Sequence, residues 1–256
     1  MREKKIMLAI ISVITIALIV ATAVVCGVYG FKRSTKGLEY SENTDGTYMV
    51  MGKGTSTESD IVINRYKTKK VTKISNWAFA FRESISSVSM GDSVISIGNN
   101  AFYNCIALKE VTIGKNLTDI GYSAFYGCSS LTSVTLPSSV DYIGEMAFSG
   151  CTALKSIEIP SGVRHIGDST FYWCSSLNSI VIPASVMSIG SNAFQYCSNL
   201  DAIYFGGSKA DWQDMTIGYN NEYLLDADVY FYSESQMYSQ SGTHYWRYVD
   251  GVPTKW

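Results

Sequence analysis

Apolar positions along this chain follow two regimes. Ile6 to Val28 is a nearly continuous apolar run, relieved only by Ser12, Thr15 and Thr22 and free of charge. From residue 74 onward the apolar positions recur every 23 residues. Phe79, Phe102, Phe125, Phe148, Phe171 and Phe194 form one column, and Cys105, Cys128, Cys151, Cys174 and Cys197 another. Ile74 to Ile189, Ile85 to Leu200 and Val88 to Ile203 run in the same register, as does a column of small residues from Ala78 to Ala193. A unit this short cannot bury its own apolar face, so the columns predict ladders of like side chains inside a stacked solenoid.

Each unit reads Ile-Gly-x-x-Ala-Phe-x-x-Cys-x-x-Leu-x-x-Val-x-Ile-Pro, as in the stretch ending Val134-Thr-Leu136-Pro137. Alternation at 134 and 136 predicts a half-buried strand, closed by Pro137, Pro160 or Pro183, which lack a ladder N–H. Ala-Phe-x-x-Cys suits one helical or 3₁₀ turn, and Gly98, Gly121, Gly144, Gly167 and Gly190 suit a bend or a close backbone approach. The fold expected is an α/β repeat: a right-handed solenoid of short parallel strands and short helical or 3₁₀ turns. Six units over 74–211 stack to about 29 Å at strand spacing. Residues 31–47 read as a linker, 48–73 as an N-terminal cap, 212–232 as a C-terminal cap, and 233–256 as a linker followed by an aromatic hairpin around Asp250-Gly251.

The run at 6–28 is long enough to span a bilayer, which needs about 20 residues. Arg2, Lys4 and Lys5 precede it and orient the body outward. A retained anchor fits its length, a cleaved signal fits Ala21-Thr22-Ala23, and Cys26 offers a lipidation reading that the bulky Val25 disfavours. All three place the body at the cell membrane or cell surface, or secrete it. Formal charge is −2 overall, with no basic excess that would suggest nucleic acid.

The repeat unit resembles the BspA-like leucine-rich repeats of bacterial surface proteins over about 74–211. That resemblance implies an exported protein whose repeats serve adhesion or protein binding, with no catalytic residues to carry over.

Motifs for chemistry are sparse. The five cysteines lack C-x-x-C spacing or a histidine partner, so neither a metal nor a cofactor is expected, and in-register neighbours are poorly placed for disulfides. His165 falls in a variable column that should face water, and His244 has no partner. Gly52-Lys53-Gly54 reads as a turn rather than a phosphate loop. Asp211, Asp214, Asp226 and Asp228 lack a calcium-loop pattern and read as solvated or capping acids.

Two surfaces qualify for binding an extracellular protein or glycan. The middle residue of each strand points away from the core. That column is Ser89, Thr112, Thr135, Glu158, Val181 and Tyr204, and Val181 and Tyr204 are expected in water. The second surface is an edge of Tyr103, Tyr126, Tyr172, Trp173 and Tyr196 beside the core Phe and Cys columns. A structural envelope spacer without a ligand is the competing reading, and an enzyme is a distant third.

Overall fold

The computed structural model describes residues 34–234 and 243–255. The run at 6–28, Cys26 and most of the second linker lie outside the described residues. Among the described residues no helix is long and apolar enough to cross a membrane.

The chain coils as a β-solenoid of about eight turns, each with three sides. On the first side, β3 (Asp60–Ile63), β6 (Ser87–Met90), β8 (Glu110–Thr112) and β10 (Ser133–Val134) pair in parallel. The same side continues through β12 (Ser156–Glu158), β14 (Ser179–Ile182), β16 (Ala202–Phe205) and β18 (Asp228–Tyr232). On the second side, β5 (Lys69–Ile74), β7 (Ser96–Ile97), β9 (Asp119–Ile120) and β11 (Tyr142–Ile143) stack in parallel. They are followed by β13 (His165–Ile166), β15 (Ser188–Ile189) and β17 (Thr216–Ile217). The column containing His165, expected to be a variable return, is therefore a second sheet whose strands are too short to show alternation.

The third side carries the Ala-Phe-x-x-Cys stretch, and it is not helical. Alternate amides close four-residue turns through i→i−3 bonds (Ala78 to Ser75, Ala80 to Trp77, Arg82 to Phe79). The intervening amides donate to the next rung: Trp77 to Asn99, Phe79 to Ala101 and Phe81 to Tyr103, at 2.7–3.0 Å. Because half of the N–H groups serve the neighbouring rung, no i→i−4 ladder forms. This corrects the α/β expectation, since the helices described are α1 (Lys209–Asp214), at the end of the sixth repeat, and α2 (Glu222–Leu225), beyond it.

The three sides enclose one core. The Phe rings stack with centroids 5.2–5.7 Å apart and are fully buried. Gly144 lies so close to the rung before it that a Cβ would sit 2.6 Å from the Tyr122 amide nitrogen, and Gly98, Gly121 and Gly190 are equally tight.

Each end departs from the repeat. β1 (Glu39–Glu42), within the segment read as linker, pairs antiparallel with β2 (Tyr48–Gly52). The cap strands β2 and β3 do not form a hairpin: each extends a different sheet by one rung. A two-residue strand, β4 (Arg65–Tyr66), pairs beside β5. At the other end, β19 (His244–Val249) adds to β18 in parallel and turns through Asp250-Gly251, at φ of 50° and 77°, into antiparallel β20 (Val252–Lys255). Two successive positive φ values are the hallmark of a tight I′ hairpin.

One irregularity interrupts the stack. No ladder joins β10 to β12 or β11 to β13, so both sheets are broken at the same level. Gly167, at this seam, is the loosest of its column, with the nearest backbone atom 3.4 Å from a built Cβ. The turn side remains bonded across it, through Met146 to Asp168, Phe148 to Thr170 and Gly150 to Tyr172, and the first side keeps one backbone bond, from Lys155 to the Thr132 carbonyl at 3.2 Å.

Candidate functional site

The outward column of the first sheet splits into two halves. Ser89 is half-buried, Thr112, Thr135 and Glu158 are exposed, and Tyr204 is half-buried. Val181 is only 8% exposed, which overturns its expected place in water. The cause is the terminal hairpin, which folds onto this face. Trp246 from β19 is buried against Val181, Ala202, Tyr204 and Tyr230, a second apolar cluster apart from the core. Its indole Nε1 donates to the Phe205 carbonyl at 2.9 Å. Tyr232 and Tyr248 meet the Trp246 ring edge-on, and Lys255 Nζ sits 4.2 Å over the Tyr230 ring. The Tyr248 hydroxyl donates to Glu158 Oε1 at 2.7 Å. Burial, then that bonded carboxylate, push the Tyr248 phenol well above its ordinary value, so it stays protonated as a donor.

The turn side presents a different surface. Tyr103, Tyr126 and Tyr172 are half-buried, and Trp173 and Tyr196 are exposed. Tyr103 stacks on Tyr126 at 4.7 Å, and Tyr172 meets Tyr196 edge-on. Two exposed aromatics that sequence reasoning passed over, Trp77 and Phe81, both lie against Tyr103. The edge thus holds two aromatic groups, divided by Gly127, Ser149 and Gly150.

The backbone beneath these aromatics is unusual. Every residue in the columns of Trp77 and Phe81 has positive φ, including Asn100, Asn104, Gly127, Gly150 and Asn192. Asn and Gly adopt that region readily, whereas other L-residues meet a steric penalty of roughly 1–2 kcal/mol. Trp77 (61°), Phe81 (59°), Trp173 (58°) and Tyr196 (63°) occupy it nonetheless. The signal was in the sequence: Phe81, Trp173 and Tyr196 share a column with Asn104, Gly127 and Gly150.

The thiols of Cys105 to Cys197 are free and buried, and each donates to the Phe carbonyl of the preceding rung, as from Cys151 to Phe125 at 3.3 Å. Burial pushes Cys105 and Cys197 up to about 12 and holds the three between them well above the ordinary value. His165 Nδ1 shares a hydrogen bond with Ser188 Oγ on the next rung, and the His244 ring lies 5.3 Å from that of Tyr230. Asp211 caps α1 reciprocally with Ser208, whose bonds hold its carboxyl below the usual range. Lys53, in the glycine turn, donates to Ser84. No three His, Cys, Asp or Glu side chains gather as a metal site among the described residues.

The model of the BspA type leucine rich repeat region matches residues 68–208 in six copies. The chain belongs to this family. Among solved structures, the BspA-type chain is 28% identical to a leucine rich cell surface protein from Faecalibacterium prausnitzii. The match covers 87% of this chain and 57% of that one, at a TM-score of 0.66. A leucine rich repeat protein of T. pallidum shares the fold at 24% identity and a TM-score of 0.54, over 66% of this chain and 90% of that one. No curated protein matches the chain. The BspA-type assignment accounts for the repeat columns.

Proposed function

We propose that this protein is a non-catalytic binding module of the bacterial cell surface, carried outside by its N-terminal apolar run, and that it engages an extracellular protein or glycan through the aromatic edge. One observation carries the reading: bulky aromatics occupy positive-φ turns where Asn or Gly would fit without strain, and they remain exposed. Trp77, Phe81, Trp173 and Tyr196 are 54%, 60%, 57% and 47% exposed. Strained backbone bearing solvent-facing aromatics contributes little to folding, and such strain concentrates at binding and catalytic sites. Aromatic rings supply large contact area at small entropic cost. The cell-surface description of the Faecalibacterium relative supports the location.

The test is to change Trp173 and Phe81 to Asn, the residue already present at 104. Both variants should keep thermal stability within about 1 kcal/mol of the parent, the range of surface substitutions. Binding of the full chain to a glycan array and to a cell-surface protein array should disappear. An envelope spacer would instead show no selective binding in the parent, and its variants would differ in nothing measured.

A further inference from the structure

Where the hairpin folds back, β20 overhangs the first sheet and leaves a cleft of about 540 Å³. Its floor spans the seam, from Thr135 beside β10 to Ser156 and Glu158 on β12, and Val252 and Pro253 of β20 form its roof. The volume lies within the range of small-ligand sites. Glu158 is the one charged residue among those lining it; the others are hydroxyl-bearing or apolar. Tyr248 occupies one of its carboxylate oxygens. Among the described residues no cation lies within ion-pair distance of the other, and Lys255, on the same hairpin, is held over the Tyr230 ring.

These features select among ligands. A phosphate or carboxylate would face an unopposed negative charge. A sugar needs a free aromatic face, and Tyr204, the aromatic residue lining the cleft, already packs against Tyr230 and Trp246. An added strand would need outward amides from β20. In a two-residue hairpin the Val249–Val252 pair exchanges hydrogen bonds, so residue 253 faces outward, and there a proline removes the donor. A cation on an apolar stem meets none of these objections.

We propose that this cleft captures a lysine or arginine side chain of a partner protein, with its methylenes against Val181, Val252 and Pro253 and its charged head on the free oxygen of Glu158. The cleft lies on a different side of the coil from the aromatic edge, so the two sites fail or succeed separately.

Isothermal titration of the full chain in detergent micelles with octalysine and octaarginine tests this, with Nε-acetylated octalysine as the neutral control. The Glu158→Gln variant keeps an acceptor for Tyr248, and its thermal melt should match the parent. Saturable binding of one or both cationic probes is expected, lost on acetylation and weakened about ten-fold or more in E158Q, as for a bond to a charged group. Glu110→Gln, an exposed acid on the same side of the coil, and Trp173→Asn should leave the titration unchanged. Absence of saturable binding overturns the proposal. So does equal weakening by E158Q and E110Q, which would mark diffuse surface attraction, or undiminished binding of the acetylated probe.

Discussion

At the scale of single residues, the cysteine ladder shows how burial turns a reactive group into a structural one. Each thiol is enclosed and bonded to a carbonyl, so it behaves as a small hydrophobe with one weak donor. An unfolded chain ionises these thiols from about pH 8.5, whereas the folded chain retains the protons at Cys105 and Cys197 to about 12. Between those limits the unfolded state binds fewer protons. Stability is therefore intact below pH 8.5 and falls as pH rises, by up to about 1.4 kcal/mol per thiol per unit. Urea midpoints at pH 8 and pH 10 should show the fall, and Cys151→Ala should show it reduced by one thiol's share. That variant should itself lose on the order of 1 kcal/mol at pH 8 through packing. An identical pH dependence in parent and variant would transfer the effect to the tyrosines.

At the scale of elements, close contact between rungs decides what a glycine can become. Gly144 faces backbone at 2.6 Å, while Gly167 meets the Glu145 Cγ at 3.0 Å and backbone only at 3.4 Å. Gly144→Ala should lower stability by about 1–3 kcal/mol, as for overpacked positions, and Gly167→Ala by clearly less. Thermal melts of the two variants decide it, and equal losses would mean the seam is as tight as its neighbours. The glycine column and the Val-x-Ile strands were legible because each repeats over many units. The second sheet was not, because two residues such as Tyr142 and Ile143 cannot display a period of two. The turn side was read as helix-like from spacing alone, since sequence does not say whether an amide bonds within its own rung or to the next. Val181 was placed in water because nothing local announces that Trp246 returns from 65 residues further along the chain.

At the scale of the molecule, each rung contacts its neighbours, so stability is close to a sum of rungs and interfaces. Deleting the whole unit 120–142 should leave a folded, shorter protein, because the rungs brought together present like columns. Deleting half that unit should abolish cooperative unfolding, since every ladder above the cut loses register. Circular dichroism melts of both deletions distinguish the outcomes, and equal damage would mean the stack is not modular. The antiparallel strands β1 and β20 close the two ends with a pairing direction that a further parallel rung does not continue, which opposes end-to-end growth.

The seam gives this stack a preferred plane of failure. When the coil is pulled from its two ends, load along its axis falls on the hydrogen bonds between rungs. Elsewhere three sides share that load, but between the levels of β10 and β12 it falls on the turn side and on the single backbone bond from Lys155 to Thr132. A pulled molecule should part there first, into two shorter coils that each keep a capped outer end and a core of stacked phenylalanines. The break would also split the floor of the cleft, so tension along the coil would loosen a side chain held by Glu158.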